Sequence, residues 1–155
     1  MGKLEWIDSL SVGVESIDDE HKKLIKIANS IIKMSRDFSD TDQFTRAMSY
    51  LREYTVLHFS NEEAYMVSIN YPDLTKHSAE HARLKRIVKE FQSKIYHKEE
   101  IESDEVLEFM KGWLVAHVLG SDMKIKEYIE EQKAKAISEK KGKAIIGNSS
   151  VKSFS

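Results

Sequence analysis

The chain has 155 residues, enough for one domain with its own core, and 41% hydrophobic with 32% charged residues is typical of a soluble globular protein. It has no cysteine, which excludes disulfides, zinc–thiolate sites and iron–sulfur clusters. No apolar run reaches the roughly 18 residues that a membrane span needs. The first residues lack the apolar core of a signal peptide, so we expect a cytoplasmic protein that does not enter the membrane.

Charge is unevenly distributed along the chain. The formal net charge is −2, but residues 133–155 carry six lysines against one acidic residue, a net charge of +5. Residues 1–132 are therefore acidic, with a net charge of −7, which argues against nucleic acid as a partner. Because a Lys-, Ser- and Gly-rich segment buries little apolar surface, we expect a domain over 1–132 and a basic, flexible tail over 133–155.

The chain begins with a segment that has no helical period. We expect residues 1–17 to form an extended arm along the body, because apolar residues alternate there with small or polar ones. The first helix is expected over residues 18–36, with Ser16 or Asp18 as its N-cap.

Three further amphipathic helices are expected, over residues 41–69, over 73–96 and from about 103 onwards. Their apolar residues recur at alternating spacings of three and four, a heptad-like pattern that favours near-parallel packing. Gly120-Ser121 interrupts the last helix, which resumes as a short C-terminal helix. The sequence therefore predicts an all-α fold, an antiparallel up-down four-helix bundle with an extended N-terminal arm and a short C-terminal helix.

Seven ionisable side chains fall on the apolar seams of these helices. They are His21, His58, Glu62, His77, His81, His117 and Asp122. Burying seven polar groups is unfavourable unless something compensates their desolvation, and all seven can bind a transition metal. Five imidazoles and two carboxylates exceed the needs of one ion and suit two irons, each carboxylate bridging both, although ligand type alone leaves copper or manganese open.

The spacing of these residues constrains their helices. The two pairs that are four residues apart can each reach one point, since such residues share a helix face. His117 and Asp122 are five apart, about 140° around an α-helix axis, so an unbroken α-helix could not aim both at one site. We therefore expect the helix to break at Gly120-Ser121 and re-aim the aspartate. The sixth histidine, His97, lies off the seam and is expected in an exposed loop.

In four segments the chain resembles the hemerythrin family, in its bacterial single-domain form. The segments read WIDSLSVGVESIDDEHKKL (6–24), HFSNEE (58–63), YPDLTKHSAEH (71–81) and WLVAHVLGSD (113–122). The order and spacing of the four segments also match the family, and the resemblance covers about residues 4–130. It implies a hemerythrin-like four-helix bundle with two non-heme irons, bridged by an oxo or hydroxo group, and with O2 as their reversible ligand.

The same resemblance implies a role for each seam residue. By that match, His77, His81 and His117 bind one iron, His21 and His58 bind the other, and Glu62 and Asp122 bridge the two.

The resemblance also implies an apolar pocket beside the iron with fewer ligands. We nominate Phe59, Trp113, Leu114 and Val118 as its walls, where they would keep out water and protons. One position departs from the family: Ile125 stands where many relatives carry tyrosine, three residues after the bridging aspartate. This departure changes the hydrogen bonding expected near the centre.

The expected function is reversible O2 binding for oxygen storage, delivery or scavenging, and not enzyme activity. Dioxygen is the expected partner, and the sequence does not identify a protein partner. The alternatives are a di-iron oxidase or peroxidase, and an oxygen- or redox-sensing module. Ferritin-like oxidative sites use Glu-x-x-His pairs, and this chain has none, which favours binding over oxidation.

Overall fold

The computed structural model describes residues 3–36, 41–97 and 103–154, and side chains beyond 142 are not described. Five α-helices follow a short 3-10 turn at Asp8–Leu10: α1 Glu15–Ser35, α2 Thr41–Ser68, α3 Leu74–Tyr96, α4 Ser103–Met110 and α5 Met123–Phe154. Two π-helical turns, Lys111–Val115 and Val118–Asp122, join α4 to α5 without a break. Helices α1, α2, α3 and the α4 segment form the predicted four-helix bundle, so the fold class is confirmed.

The buried faces of the helices are the seams seen in the sequence. Helix α1 packs against α2 and α4, and α2 packs against α3, the neighbour order of an up-down bundle. Ala28, Met48, Leu51, Val88 and Met110 are completely buried in the main core. Each large apolar side chain buried in this way contributes about 1.5–3 kcal/mol.

A tight turn joins α2 to α3 and sets the start of α3. Asn70 adopts a left-handed conformation with φ of 54°, and the Tyr71 N–H donates to the Met66 carbonyl at 2.9 Å. This bond closes the C-terminus of α2 in the manner of a Schellman motif. Because Pro72 follows directly, α3 begins only at Leu74, and His77 lies in its first turn.

The N-terminal arm lies along the bundle as predicted. Leu4 and Leu10 are buried in the main core, and Val12 is completely buried. The Leu4 N–H donates to the Asn29 side-chain oxygen, and the Asn29 amide donates to the Leu4 carbonyl, both at 2.7 Å. These two bonds fix the arm to the middle of α1.

The first helix begins earlier than expected, and its expected cap is wrong. Val14 occupies the N-cap position and makes no side-chain capping bond. Asp18 lies inside the first turn of α1, where its carboxylate accepts hydrogen bonds from the Val12 N–H and the Ser11 hydroxyl. The aspartate therefore joins the arm to the helix and does not cap α1.

The last helix is longer than expected. We expected a short helix before the 133–155 tail, but α5 continues to Phe154. Residues 131–141 are all exposed, so no core explains this length. The segment is rich in Ala, Lys, Glu and Gln and has no proline, and these are strong helix formers. The flexibility of residues 133–155 stays a prediction. None of the described helices has the length and apolar character needed to cross a membrane.

Candidate metal centre

All seven seam residues meet at one end of the bundle. The ends of α2 and α4 and the starts of α1 and α3 lie there. His21 comes from α1, His58 and Glu62 from α2, His77 and His81 from α3, and His117 and Asp122 from the segment between α4 and α5. None of the seven is more than 4% exposed. His97 lies just after α3 and is exposed, as expected.

The seven residues form two overlapping groups. One contains Glu62, His77, His81, His117 and Asp122, and the other contains His21, His58, Glu62 and Asp122. Within each group the potential ligand atoms lie within 4.8 Å of one another. Both carboxylates belong to both groups, so the arrangement offers two adjacent candidate metal sites with two shared carboxylates.

The orientation of Glu62 accounts for this sharing. Its Oε1 lies 2.9 Å from His77 Nε2 and 3.0 Å from His81 Nε2. Its Oε2 lies 3.4 Å from both His21 Nε2 and His58 Nε2. One oxygen of the glutamate therefore faces each histidine group, as a bridging carboxylate requires.

The two carboxylate oxygens of Asp122 also face different histidine groups. Its Oδ1 lies 3.0 Å from the Nε2 atoms of both His77 and His117, whereas its Oδ2 lies 3.0 Å from His21 Nε2. The carboxylate thus reaches both histidine groups, as Glu62 does.

A π-helical turn, and not a break, brings His117 and Asp122 together. The turn spans Val118–Asp122 and includes Gly120-Ser121, where we expected the helix to be interrupted. In a π turn the hydrogen bonds run to the fifth residue, so residues five apart come to the same face. The expected break in the helix is therefore wrong. The aspartate is nevertheless turned to the same face as His117, as the prediction required.

Three glutamates that the sequence analysis missed support the histidines from outside. Each comes from one helix and faces the Nδ1 atom of a histidine on the next. Glu20 lies 2.9 Å from His58 and Glu80 lies 3.2 Å from His117, both within hydrogen-bonding distance. Glu63 lies 3.6 Å from His81, too far for a hydrogen bond, and interacts with it through charge alone. Carboxylates in this position fix the ring orientation of a metal-binding histidine and leave Nε2 free for the metal.

These glutamates are themselves held by neighbouring side chains. The Asn61 amide donates to Glu20 at 2.7 Å, and the Ser78 and Ser121 hydroxyls donate to Glu63 and Glu80. These three glutamates could have been found from the sequence, because each is adjacent to a seam residue. A neighbour in sequence points about 100° away around a helix, towards the adjoining helix and away from the centre.

Without metal, the cluster is a set of buried ion pairs. Burial lowers the pKa of His21, but the Asp122 and Glu62 carboxylates, 3.0 and 3.4 Å from its Nε2 atom, outweigh this and raise the pKa to about 10. The same balance raises the pKa of His77 to about 9. Burial and the charge of Glu62 raise the pKa of Asp122, but the surrounding histidines outweigh both and lower it to about 2.

The residues fit a pair of metal ions. Five atoms that face the centre have no hydrogen-bond partner among the described residues: His21 Nε2, His58 Nε2, Glu62 Oε2 and both oxygens of Asp122. An unsatisfied buried polar group costs about 1–3 kcal/mol. Imidazole nitrogens and carboxylate oxygens suit iron, and metal coordination would satisfy these atoms together.

A small cavity lies beside the group that has two histidines. Its volume of about 10 Å³ is close to the smallest space that holds one water molecule. The four nominated residues all line it: Phe59, Trp113, Leu114 and Val118. Leu24 lines it too, and we had not nominated it, although it lies one helical turn after His21. The remaining lining residues are His21, His58, His117 and Asp122.

Two contacts fix the aromatic walls of this cavity. The Phe59 ring stacks on His81 with centroids 3.8 Å apart and planes within 4°. The Trp113 indole N–H donates to the Leu84 carbonyl at 3.1 Å. Both rings are therefore held in place by groups outside the cavity.

Ile125 lies on the opposite side of the centre from this cavity. It is completely buried in a second apolar cluster with Met66 and Tyr71. An isoleucine offers no hydrogen bond there, so the side chain at this position contributes apolar packing only.

The fold and the site define a class of protein: a four-helix bundle with a buried His/Glu/Asp centre for two metal ions. The sequence model of the hemerythrin HHE cation binding domain matches residues 12–129. A bacteriohemerythrin of Clostridium acetobutylicum is 34% identical over 129 residues, which is 81% of this chain and 98% of that protein. A myohemerythrin of Riftia pachyptila is 33% identical over 121 residues, 78% of this chain and 89% of that protein.

Solved structures agree with the sequence relatives. The crystal structure of a wild-type hemerythrin superposes with a TM-score of 0.71 at 27% identity, covering 77% of this chain and 92% of that one. A leucine-to-alanine variant of a hemerythrin gives a TM-score of 0.72 at 26% identity, covering 79% and 94%. The chain belongs to the hemerythrin family, whose members bind a di-iron centre.

Proposed function

We propose that this chain binds O2 reversibly, for oxygen storage, delivery or scavenging, at a di-iron centre held by the seven seam residues. The observation that carries the proposal is the apolar cavity beside the two-histidine group. When bound, the two irons supply the electrons that reduce O2, and they recover these electrons when O2 is released. The protein holds the metal and controls what reaches it.

The ligand assignment follows the two overlapping groups. We propose that His77, His81 and His117 hold one iron, that His21 and His58 hold the other, and that Glu62 and Asp122 bridge them. The two-histidine side then has one protein ligand fewer. Both of its histidines line the cavity, which supports O2 entry on that side.

The character of the cavity favours binding over catalysis. Apart from the proposed ligands, its described lining consists only of apolar side chains, so nothing there can act as a general acid or base. A space of about 10 Å³ also admits no organic substrate. Leu24, Phe59, Trp113, Leu114 and Val118 would keep out water and protons, which protects a reversible redox equilibrium.

The test is metal content together with absorption spectra of the purified protein. We expect two irons per chain and a peroxide-to-iron absorption band in air that disappears under vacuum and returns on re-exposure. Irreversible bleaching with release of peroxide, or substrate-dependent turnover in a protein that shows no reversible oxygenation, would instead support a di-iron oxidase or peroxidase. A protein without iron would contradict both.

One observation favours a second function, an oxygen- or redox-sensing module. Helix α5 continues directly from the π turn that carries Asp122, and residues 131–141 are exposed. A shift of Asp122 on oxygenation would therefore reach an exposed helix through a continuous backbone. If this function holds, hydrogen exchange in residues 131–141 should differ between the deoxygenated and oxygenated proteins. Equal hydrogen exchange in the two forms would contradict a sensing role through α5 and would leave reversible oxygen binding as the function.

A further inference from the structure

Two tyrosines connect the three-histidine side of the centre to the surface. The Tyr71 ring is 6% exposed and lies edge-on to His77, with ring centroids 6.4 Å apart and planes at 76°. The Tyr128 ring follows at 5.3 Å from Tyr71 and 74°. Tyr128 is half-buried, and its hydroxyl is 3.1 Å from the Ile69 carbonyl and 3.2 Å from the Asn70 carbonyl, to which it donates. The three rings thus make consecutive contacts from a proposed ligand outwards.

A polar cavity borders the inner tyrosine. It measures about 30 Å³ and is lined by Tyr71 and His77 together with Asp73, Lys76, Glu80, Ser121 and Lys124. It is large enough for a water molecule and polar enough to hold one. A proton leaving the Tyr71 phenol would therefore have acceptors within this cavity, in contrast to the apolar cavity on the other side.

A second chain of aromatic rings leaves the centre but cannot serve the same purpose. It runs from the Phe59 ring to Trp113 at 6.3 Å, to Phe109 at 6.4 Å and to Phe91 at 4.3 Å. Phenylalanine is far harder to oxidise than tyrosine or tryptophan, so a radical formed at Trp113 would have no next site on this route. Only the tyrosine route joins oxidisable rings up to the surface within the described residues.

We propose that Tyr71 and Tyr128 form a one-electron relay that carries oxidising equivalents from the metal centre to the surface when hydrogen peroxide reacts there. The relay rests on the proposed function, because it requires the bound irons. It adds a property that oxygen binding does not need: the removal of oxidising equivalents that would otherwise attack the histidines or Trp113.

Each passage along the relay transfers one electron and restores both phenols. Tyr71 gives one electron to the centre and its phenolic proton to the polar cavity, and becomes a neutral phenoxyl radical. Tyr128 then gives one electron to Tyr71, which takes a proton back from the cavity, while Tyr128 releases its own proton to solvent. A thiol or ascorbate in solution reduces Tyr128 with one electron and one proton. Two such passages reduce one hydrogen peroxide, with two protons, to two waters.

The experiment compares four iron-loaded proteins: wild type, Tyr71→Phe, Tyr128→Phe and Tyr50→Phe. Tyr50 is a matched control, because it also stacks on another tyrosine, Tyr54 at 6.4 Å, but is 46% exposed and has the Lys23 ammonium over its ring. Iron content and the oxygenation spectrum are measured first. Each protein is then mixed with hydrogen peroxide, frozen within milliseconds to seconds, and examined by electron paramagnetic resonance for an organic radical.

We expect a tyrosyl radical in the wild type and in Tyr50→Phe, and a several-fold weaker signal in Tyr71→Phe. In Tyr128→Phe the radical should remain on Tyr71 and decay several-fold more slowly when ascorbate is added. Peptide mass spectrometry of Tyr71→Phe should show more oxidation of Trp113 and of the seam histidines. If Tyr71→Phe fails to bind iron, the rate of radical decay in Tyr128→Phe still tests the relay, and a decay as fast as in the wild type would contradict it.

The outcomes separate the relay from oxygen binding. A wild type with normal iron content and reversible oxygenation but no tyrosyl radical would overturn the relay alone. An unchanged signal in Tyr71→Phe, or an equal loss in Tyr50→Phe, would do the same. A wild type without iron would overturn the proposed function and the relay with it.

Discussion

At the end of the bundle where α1 stops and α2 starts, the interior is closed by buried side chains such as Phe44, Phe91 and Val106. At the opposite end the same helical seams carry histidines and carboxylates that are equally buried. Along α1, α2 and α3 the spacing of the seams does not change between the two ends, and only the chemistry of the residues does. The segment after α4 is the exception, because its π turn places residues five apart on one face. The two regions therefore differ in what stabilises them, although both pack in the same geometry.

The apolar end gains stability directly from burial, at about 25 cal/mol for each Å² of apolar surface removed from water. The polar end gains nothing from burial alone, because desolvation of charged groups offsets much of their attraction. We infer that the apolar end maintains the bundle in the absence of metal, and that the polar end depends on it. The variants below test this division.

The largest expected effect comes from Glu62→Ala. Glu62 faces four of the histidines, so its removal takes a shared ligand from both metal sites. We expect iron to fall from two per chain to well below one, measured by elemental analysis, with loss of the oxygenation spectrum. Glu53→Ala, an exposed change on the same helix, should retain both properties. Two irons and a wild-type spectrum in Glu62→Ala would contradict the assignment.

Removing the metal should reverse the dependence of stability on pH. In the metal-free protein the pKa of His21 is about 10 and that of His77 about 9, both above the ordinary value of 6.5. Their contribution to folding is complete below about pH 6.5 and is lost as pH rises through 9 to 10, on the order of a few kcal/mol. The loaded protein should instead lose stability as pH falls, because acid protonates the ligands.

The measurement is denaturant unfolding of chelated and iron-loaded protein between pH 6 and about 10. Asp122, whose pKa is lowered to about 2, contributes at all of these pH values and does not obscure the result. Parallel pH curves for the two forms would show that the histidine–carboxylate cluster does not control stability at this end.

Leu114→Ala should separate a role in the cavity from ordinary packing. Leu114 lines the small cavity, whereas Leu51 is buried in the main core and does not. Both changes to alanine should lower the free energy of unfolding by about 2–5 kcal/mol. Only Leu114→Ala should admit water to the centre and speed autoxidation, by roughly tenfold if about 1.4 kcal/mol of the barrier is lost. Equal autoxidation rates in the two variants would make Leu114 a packing residue only.

The smallest effect is expected from ending the chain after residue 132. The removed segment starts beyond the bundle, and residues 131–141 are exposed. Iron content, oxygenation and the midpoint of thermal unfolding should stay close to those of the full chain, while circular dichroism shows less helix. Loss of iron on truncation would show that the end of α5 supports the polar end of the bundle.

Much of the fold could be read from the sequence because the alternating spacing of three and four is a property of single helices. The same spacing placed all seven polar seam residues on inward faces, and the structure brings them together. Which histidines share a site could not be read in this way, because it depends on how the oxygens of Glu62 are oriented between helices.

Features that depend on relations between helices, or on the backbone itself, were missed. Glu20 and Glu80 point away from the centre on their own helices and matter only because a neighbouring helix presents a histidine to them. The π turn before Asp122 is a backbone choice that glycine permits but does not dictate. The helical residues 131–141 of α5 are favoured by helix propensity and not by an apolar seam, so a search for apolar seams does not detect them.

The widened turn between His117 and Asp122 has a consequence for protein engineering. A designer who transplants the seven side chains onto an idealised bundle of straight α-helices would turn the aspartate about 100° away from its partners, since each residue advances by that angle. The scaffold would need a π turn at that place, which contains one residue more than an α-helical turn. Every position downstream would then shift its face by the same angle, so the scaffold beyond the graft would have to be redesigned as well.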